Sequence, residues 1–213
     1  MPYSTYIFDL DGTLLDTLQD LANAVNRAMR EMNYSERTLD EVRRFIGDGM
    51  KMLIRRAVPD GTGEAECEKA LTFFHEYYLA HIADSTKPYD GIPELISALK
   101  TRGCKLAVVS NKSDDAANAV VEKYFGKSFD IVVGKRESFP AKPDPASVKY
   151  VMQNLGAEPQ NTVYIGDSDV DVYTAHNAGL RCIGVTWGNR TRQELIDSGA
   201  NFIADSSDEI LDI

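Results

Sequence analysis

Short runs of apolar or β-branched residues recur along the chain at 6–10, 105–110, 131–134, 162–166 and 181–186, each bounded by Gly, Asp, Asn or Ser. Runs of this length without polar alternation suit strands buried on both faces, as in a parallel sheet covered by helices. Between the later runs the period changes. Ile96 and Leu99 lead to a stop at Gly103, and helical spacing covers 116–124, 146–155 and 170–178. The last two end at Gly156 and Gly179, residues suited to left-handed C-caps. Strand and helix in alternation predict an α/β fold built on a doubly wound, Rossmann-like parallel sheet.

Residues 16–87 break the rhythm. Leu18, Leu21, Val25, Ala28, Met29 and Met32 keep helical spacing, and so do Leu71, Phe74, Tyr78, Leu79 and Ile82. Thr38 and Glu41 fit a capping box ahead of Val42, Phe45 and Ile46, and Gly47-Asp48-Gly49 then interrupts before Met50, Leu53 and Ile54. With no strand pattern here, 16–87 is expected to be an inserted α-helical domain. The sheet core is expected from 1–15 and 88–213.

Composition narrows the function. Hydrophobic residues at 43% of 213 are enough for a packed core. The formal charge, 23 − 33 = −10, argues against a nucleic-acid or anionic-membrane surface, since both need a positive footprint. Cys67, Cys104 and Cys182 lack Cys-x-x-Cys spacing, so neither a disulfide framework nor a zinc site is expected. The opening MPYSTYIFDLDG meets carboxylates before any secretory apolar stretch could form, and no run approaches the ~20 apolar residues of a membrane span. A soluble cytoplasmic protein without nucleic-acid or membrane partners is expected, as a monomer or a homodimer.

Ligands of α/β sheets lie beyond the carboxyl ends of the strands. After the first strand stand Asp9, Asp11, Gly12 and Thr13; after the second, Ser110 and Asn111. Lys142 follows the third, and Asp167, Ser168, Asp169 and Asp171 follow the fourth. Clustered carboxylates in a partly dry site call for a cation, and Mg²⁺ takes oxygen ligands from one or two carboxylates plus phosphate. Asp9 and Asp167 suit that role. Lys142 offers a compact positive charge to a phosphoryl group, and Ser110 and Asn111 complete the expected phosphate-binding set. Asp9 and Asp11, at i and i+2 of an extended segment, are expected to face one substrate. One carboxylate would attack phosphorus and the other would move the proton.

Four stretches, FDLDGTLLDT (8–17), VVSNK (108–112), AKPDP (141–145) and IGDSDVDVYTAHNAG (165–179), together resemble the haloacid dehalogenase superfamily of phosphohydrolases, and within it the phosphoglycolate phosphatase-like members. The resemblance implies that Asp9 is the nucleophile and Asp11 the general acid/base. It also implies that Ser110 and Lys142 hold the phosphate, and that Asp9, the Asp11 carbonyl and Asp167 bind Mg²⁺. Asp171 is implied to support the metal site or Lys142, and the helical insert to be a mobile cap domain. RRFIGDGMK (43–51) is similar to a cap segment of phosphoglycolate phosphatases, which makes Gly47 and Lys51 candidates to meet the non-phosphate end of the substrate. The segment KRESFPAK (135–142) departs from the acidic turn of the nearest members and leaves the substrate open.

The expected activity is Mg²⁺-dependent hydrolysis of a small phosphorylated metabolite through an aspartyl-phosphate. A sugar-phosphate mutase of the β-phosphoglucomutase kind shares the aspartate pair and is the alternative. A non-catalytic phospho-accepting module is the third reading, and a helical insert has no place in it. Carbon–halogen hydrolysis is disfavoured, since relatives that perform it typically lack the second aspartate.

Overall fold

The computed structural model describes residues 3–213. The chain begins with β1 (Thr5–Phe8) and β2 (Leu15–Asp16). Four helices follow, α1 (Leu18–Glu31), α2 (Leu39–Phe45), α3 (Met50–Ala57) and α4 (Glu64–Ala80), then the short β3 (Lys87–Pro88). It continues through α5 (Ile92–Thr101), β4 (Lys105–Ser113), α6 (Asp114–Phe125), β5 (Ile131–Lys135) and α7 (Ala146–Leu155). Last come β6 (Thr162–Gly166), α8 (Asp169–Asn177), β7 (Arg181–Val185), α9 (Arg192–Asp197) and β8 (Phe202–Ala204). Two compact units result: the residues up to Asp16 with Pro88–Ile213, and Thr17–Lys87.

In the first unit six parallel strands lie in the order β5-β4-β1-β6-β7-β8. Every residue of β1 is buried, as a central strand with both faces covered requires. Ile7, Ala107, Val109, Tyr164 and Cys182 pack against Val148, Val151 and Met152 of α7 and Val172 and Ala175 of α8. Their neighbours in the chain, among them Phe8, point to the other face. There Phe8 meets Phe129 edge-on at 6.1 Å, and Phe129 meets Phe125 of α6 at 5.6 Å. Helices on both faces make the fold doubly wound. Strand order reverses at β1, with β4 and β5 to one side and β6, β7 and β8 to the other.

The second unit is built from α1, α2, α3 and α4, with Lys87 of β3 at its end. Leu21, Val25, Ala28 and Met29 form a stripe on α1, and Cys67, Ala70, Phe74 and Tyr78 form one on α4; α1 packs on α4, and α2 and α3 add Val42, Leu53 and Ile54. The capping box at α2 is present: Thr38 Oγ1 accepts from the Glu41 N–H at 3.3 Å, and the Glu41 carboxylate accepts from the Thr38 N–H at 2.7 Å. The buried Asp20 carboxylate accepts from the N–H groups of Ser85 and Thr86 (both 2.9 Å) and the Thr86 hydroxyl (2.7 Å). The beginning and end of the unit are thereby tied together.

The structure adds elements that the apolar pattern did not predict, among them β8, α9, three further residues of β4 and the two-residue strands β2 and β3, which pair with each other. No helix among the described residues is long and apolar enough to cross a membrane.

Candidate active site

The reversal of strand order at β1 opens a crevice beyond the carboxyl ends of β1, β4 and β6. Asp9 follows the last residue of β1, and its N–H donates to the Ile165 carbonyl of β6 at 2.8 Å. The ladder thus delivers its carboxyl group to the crevice. Asp167 follows β6 directly. Asp171 sits in the first turn of α8, where its carboxylate and Ser168 form a reciprocal capping box. Each of Asp9, Asp167 and Asp171 offers an oxygen within 4.8 Å of the others, and all three are buried.

Lys142, in the loop between β5 and α7, reaches into this group. Its ammonium donates to Asp9 Oδ1 at 2.7 Å, Asp171 Oδ1 at 2.7 Å and the Tyr164 hydroxyl oxygen at 3.0 Å. An ammonium has three protons, and here each finds an acceptor. The loop is held by Asn111. Its amide oxygen accepts from the Lys142 N–H at 2.8 Å, and its amide nitrogen donates to the Lys142 carbonyl at 3.3 Å. Asn111, expected among the phosphate-binding groups, therefore has both ends of its amide on the Lys142 backbone and positions that lysine. Ser110, beside it, is buried at the strand end.

The electrostatics follow from this packing. Burial, and then the Asp171 charge, push the Asp9 carboxyl well above the usual range, with Lys142 opposing. Burial and Asp171 likewise raise Asp167 to about 6, against hydrogen bonds from Asn189 and Thr13. For Lys142, burial works against the charge, but Asp171 and Asp9 outweigh it and hold the ammonium well above its ordinary value. Three carboxylates surround one ammonium, so the pocket is short of positive charge.

Asp11 lies outside that cluster. β1 has ended at Phe8, and the extended segment expected through Asp9 and Asp11 gives way to a turn with Gly12 at φ 94°. The Asp11 carboxylate is held by Lys112, whose ammonium lies 2.7 and 3.0 Å from its two oxygens. A register shift in β4 between Val109 and Ser113 sets up this contact. It takes Ser110, Asn111 and Lys112 out of the regular ladder and re-aims their side chains.

The family of haloacid dehalogenase-like hydrolases matches residues 6–185. The chain belongs to that family. It is 34% identical over 214 residues to phosphoglycolate phosphatase 1 of Pseudomonas aeruginosa, a match covering 96% of this chain and 77% of that protein. The crystal structure of a predicted phosphoglycolate phosphatase from Haemophilus somnus superposes with a TM-score of 0.92 at 29% identity, covering 100% and 98% of the two chains. CbbY from Rhodobacter sphaeroides, solved in complex with phosphate, gives a TM-score of 0.77 at 27% identity over 98% and 96% of the chains.

The pocket of this haloacid dehalogenase-like hydrolase fits a hard divalent cation, which seeks oxygen ligands. Counting lone pairs shows which carboxylates remain available. Asp171 Oδ1 accepts from Lys142 and shares the single Tyr164 hydroxyl proton with the Val109 carbonyl (3.2 Å to each), and its Oδ2 accepts from the Ser168 N–H and hydroxyl, so both oxygens are engaged. Asp167 Oδ2 accepts from the Asn189 N–H (2.7 Å) and side-chain amide (2.9 Å), while Oδ1 has only the Thr13 hydroxyl at 3.1 Å. Asp9 Oδ1 has Lys142, and among the described residues no hydrogen bond reaches Oδ2. Asp9 and Asp167 keep the most ligand capacity, and Asp171, engaged at both oxygens, keeps the least. The approach to Asp167 depends on Gly12 and Gly188, where an added Cβ would come within 2.3 Å of the Asp167 side chain.

The structure thus brings together Asp9, Lys142, Asp167 and Asp171 by direct contact or proximity, with Asn111 behind the lysine. Gly47 and Lys51 belong to the helical unit. The Lys51 ammonium is shared between Glu64 (2.9 Å) and Glu68 (2.8 Å) of α4 on an exposed face, and these carboxylates raise its pKa. Lys112, Thr13, Tyr164 and Asn189 are site residues that sequence reasoning left without roles. Lys112 and Thr13 lay inside the motifs already singled out, and Asn189 lay outside all of them. Tyr164 reads as one more apolar strand residue.

Proposed function

We propose that this hydrolase is a Mg²⁺-dependent phosphatase of a small phosphorylated metabolite, with 2-phosphoglycolate the first candidate, acting through an aspartyl-phosphate on Asp9. The observation that carries the reading is the asymmetry of the Asp9 carboxylate. Oδ1 is fixed by a buried ammonium that itself suits a phosphoryl oxygen, and among the described residues Oδ2 is left without a hydrogen bond. The phosphate held by CbbY and the names of the phosphoglycolate phosphatase relatives support the substrate class.

In this reading Asp9 Oδ2 attacks phosphorus and the bond to the leaving oxygen breaks. Lys142 keeps the nucleophile oriented and offers positive charge to the transferred group, with Ser110 as a hydrogen-bonding neighbour. Asp11 gives a proton to the leaving oxygen, then takes one from the water that cleaves the phosphorus–Asp9 bond. Asp9, Asp167 and the Asp11 carbonyl would hold Mg²⁺, which would supply charge neutralisation for the phosphoryl group. Asp171 and Tyr164 act by holding Lys142. The helical unit serves as the cap, where closure excludes water and the Gly47–Gly49 backbone meets the rest of the substrate. Lys51 would have to leave two carboxylates to take part.

Phosphate release from a panel of phosphorylated metabolites, with and without Mg²⁺, tests the proposal. Asp9→Asn is expected to lower kcat by at least about 10³-fold with the fold kept. Turnover of Asp9→Asn at the wild-type rate would remove Asp9 as nucleophile. Conversion of glucose 1-phosphate to glucose 6-phosphate, rather than free phosphate, would make the protein a mutase.

A further inference from the structure

The Lys112–Asp11 pair has a geometry that a surface ion pair lacks. The Lys112 side chain is 2% exposed and that of Asp11 16%, and one ammonium spans both carboxylate oxygens at 2.7 and 3.0 Å. The lysine is fixed in turn from behind. Its own N–H donates to Ser110 Oγ at 3.2 Å, and Ser110, Asn111 and Lys112 are consecutive in the stretch of β4 where the register shifts. Asn111 holds the Lys142 backbone, and Lys142 holds Asp9. One three-residue bulge therefore supports both aspartates, Asp9 through Asn111 and Lys142, and Asp11 through Lys112.

We propose that Lys112 is the positioning residue of Asp11: its ammonium holds the carboxylate at the place from which it serves the leaving oxygen and then the hydrolytic water. This rests on the proposed phosphatase reading, in which Asp11 is the proton carrier. In the first step the bond from phosphorus to the ester oxygen breaks and the bond from phosphorus to Asp9 forms, while the proton of Asp11 passes to the departing oxygen. In the second step water oxygen bonds to phosphorus, the bond to Asp9 breaks and the water proton passes to Asp11. Asp11 must lie within hydrogen-bond reach of two different oxygens in turn. A carboxyl group on a free rotor meets that demand poorly, and one anchored at one oxygen by a buried ammonium, with the other oxygen given over to the proton, meets it well.

A residue that acts only through Asp11 should lose its effect when Asp11 is absent, which a double-mutant cycle reads directly. Lys112→Met is expected to lower kcat about 10–100-fold in the otherwise native protein, within the usual size of a proton-transfer contribution. In an Asp11→Asn background the same change is expected to cost less than about 3-fold. The loss should also be roughly tenfold larger for an alkyl ester such as 2-phosphoglycolate than for 4-nitrophenyl phosphate in the formation of the phosphoenzyme, since nitrophenolate departs without a proton. A general structural lesion would depress both substrates alike. Lys112→Gln, which keeps a donor without the charge, carries the same cycle if the methionine variant fails to fold, and Lys112→Arg is expected to restore part of the loss. Equal losses with and without Asp11, or equal losses on the two esters, would overturn the role of Lys112. An Asp11→Asn protein of native activity would instead overturn the phosphatase mechanism beneath it.

Discussion

Lys142 is the residue on which the charge balance of the site turns. It is buried, its three protons are all used, and two of its acceptors are carboxylates that repel each other without it. Breaking a buried ion pair by removing one partner typically costs about 3–5 kcal/mol, because the charge left behind is uncompensated. Lys142→Met is expected to destabilise the protein by that amount, a fall in Tm of roughly 10 °C for a chain of this size. Thermal denaturation checks it, and a loss below about 1 kcal/mol would show that the carboxylates relax into water or take up protons without strain. Asp9 and Asp167 were legible in the sequence because each directly follows an apolar run, and a strand end fixes where a side chain goes; Lys142, in the loop after β5, was legible from the AKPDP stretch. Lys112 and Tyr164 were not legible in role. Lys112 meets a partner 101 positions away, and the Tyr164 hydroxyl joins the lysine network from inside a strand whose pattern is wholly apolar.

At the scale of elements, helix caps separate structure from chemistry. Ser168–Asp171 at α8, Thr191–Glu194 at α9 and Thr38–Glu41 at α2 are the same device, a hydroxyl and a carboxylate exchanging hydrogen bonds across the first turn. Only at α8 does the carboxylate also reach the site, through Lys142. Ser168→Ala and Thr191→Ala are each expected to cost about 1 kcal/mol of stability. Ser168→Ala should also lower kcat about tenfold, because Asp171 loses the 2.6 Å bond from the Ser168 hydroxyl that orients it. Thr191→Ala should leave kcat within about twofold, and equal kinetic losses in the two variants would refute the link between the α8 cap and Lys142. The sequence Thr191-Arg-Gln-Glu194 carries the same signature that located α2, so α9 was readable by a rule already in use. β8 was not, because three residues at a sheet edge are too short to show a period. The bulge of β4 was beyond sequence reading for another reason: register is a relation between strands, and an apolar run says nothing about its partner's count.

For the molecule as a whole, the acidic pocket couples folding to both pH and the cation. An Asp with a raised folded-state pKa binds its proton more tightly when folded than when unfolded. Its contribution to stability is therefore fully present below the unfolded pKa near 4 and is lost as pH rises through the folded value. For Asp167 that value is about 6, and Asp9 shifts in the same direction. Without Mg²⁺, these two groups make the fold less stable from about pH 4 to above pH 6. Carboxylates with lowered pKa, such as Glu194 and Asp205, pull the other way, so the pH profile of the metal-free protein alone does not isolate the pocket. The gain on adding Mg²⁺ does. Below pH 5 the cation must displace protons from the oxygens it needs, whereas at pH 8 the ligands are ionised and their repulsion is relieved by binding. The increase in Tm produced by saturating Mg²⁺ over EDTA is expected to be several degrees at pH 8 and to shrink toward zero at pH 5. In Asp167→Asn, which removes the charge and keeps the shape, the pH 8 gain should fall by at least half. A Mg²⁺ effect independent of pH, or intact in that variant, would place the cation elsewhere on a surface whose formal charge of −10 offers many weaker sites.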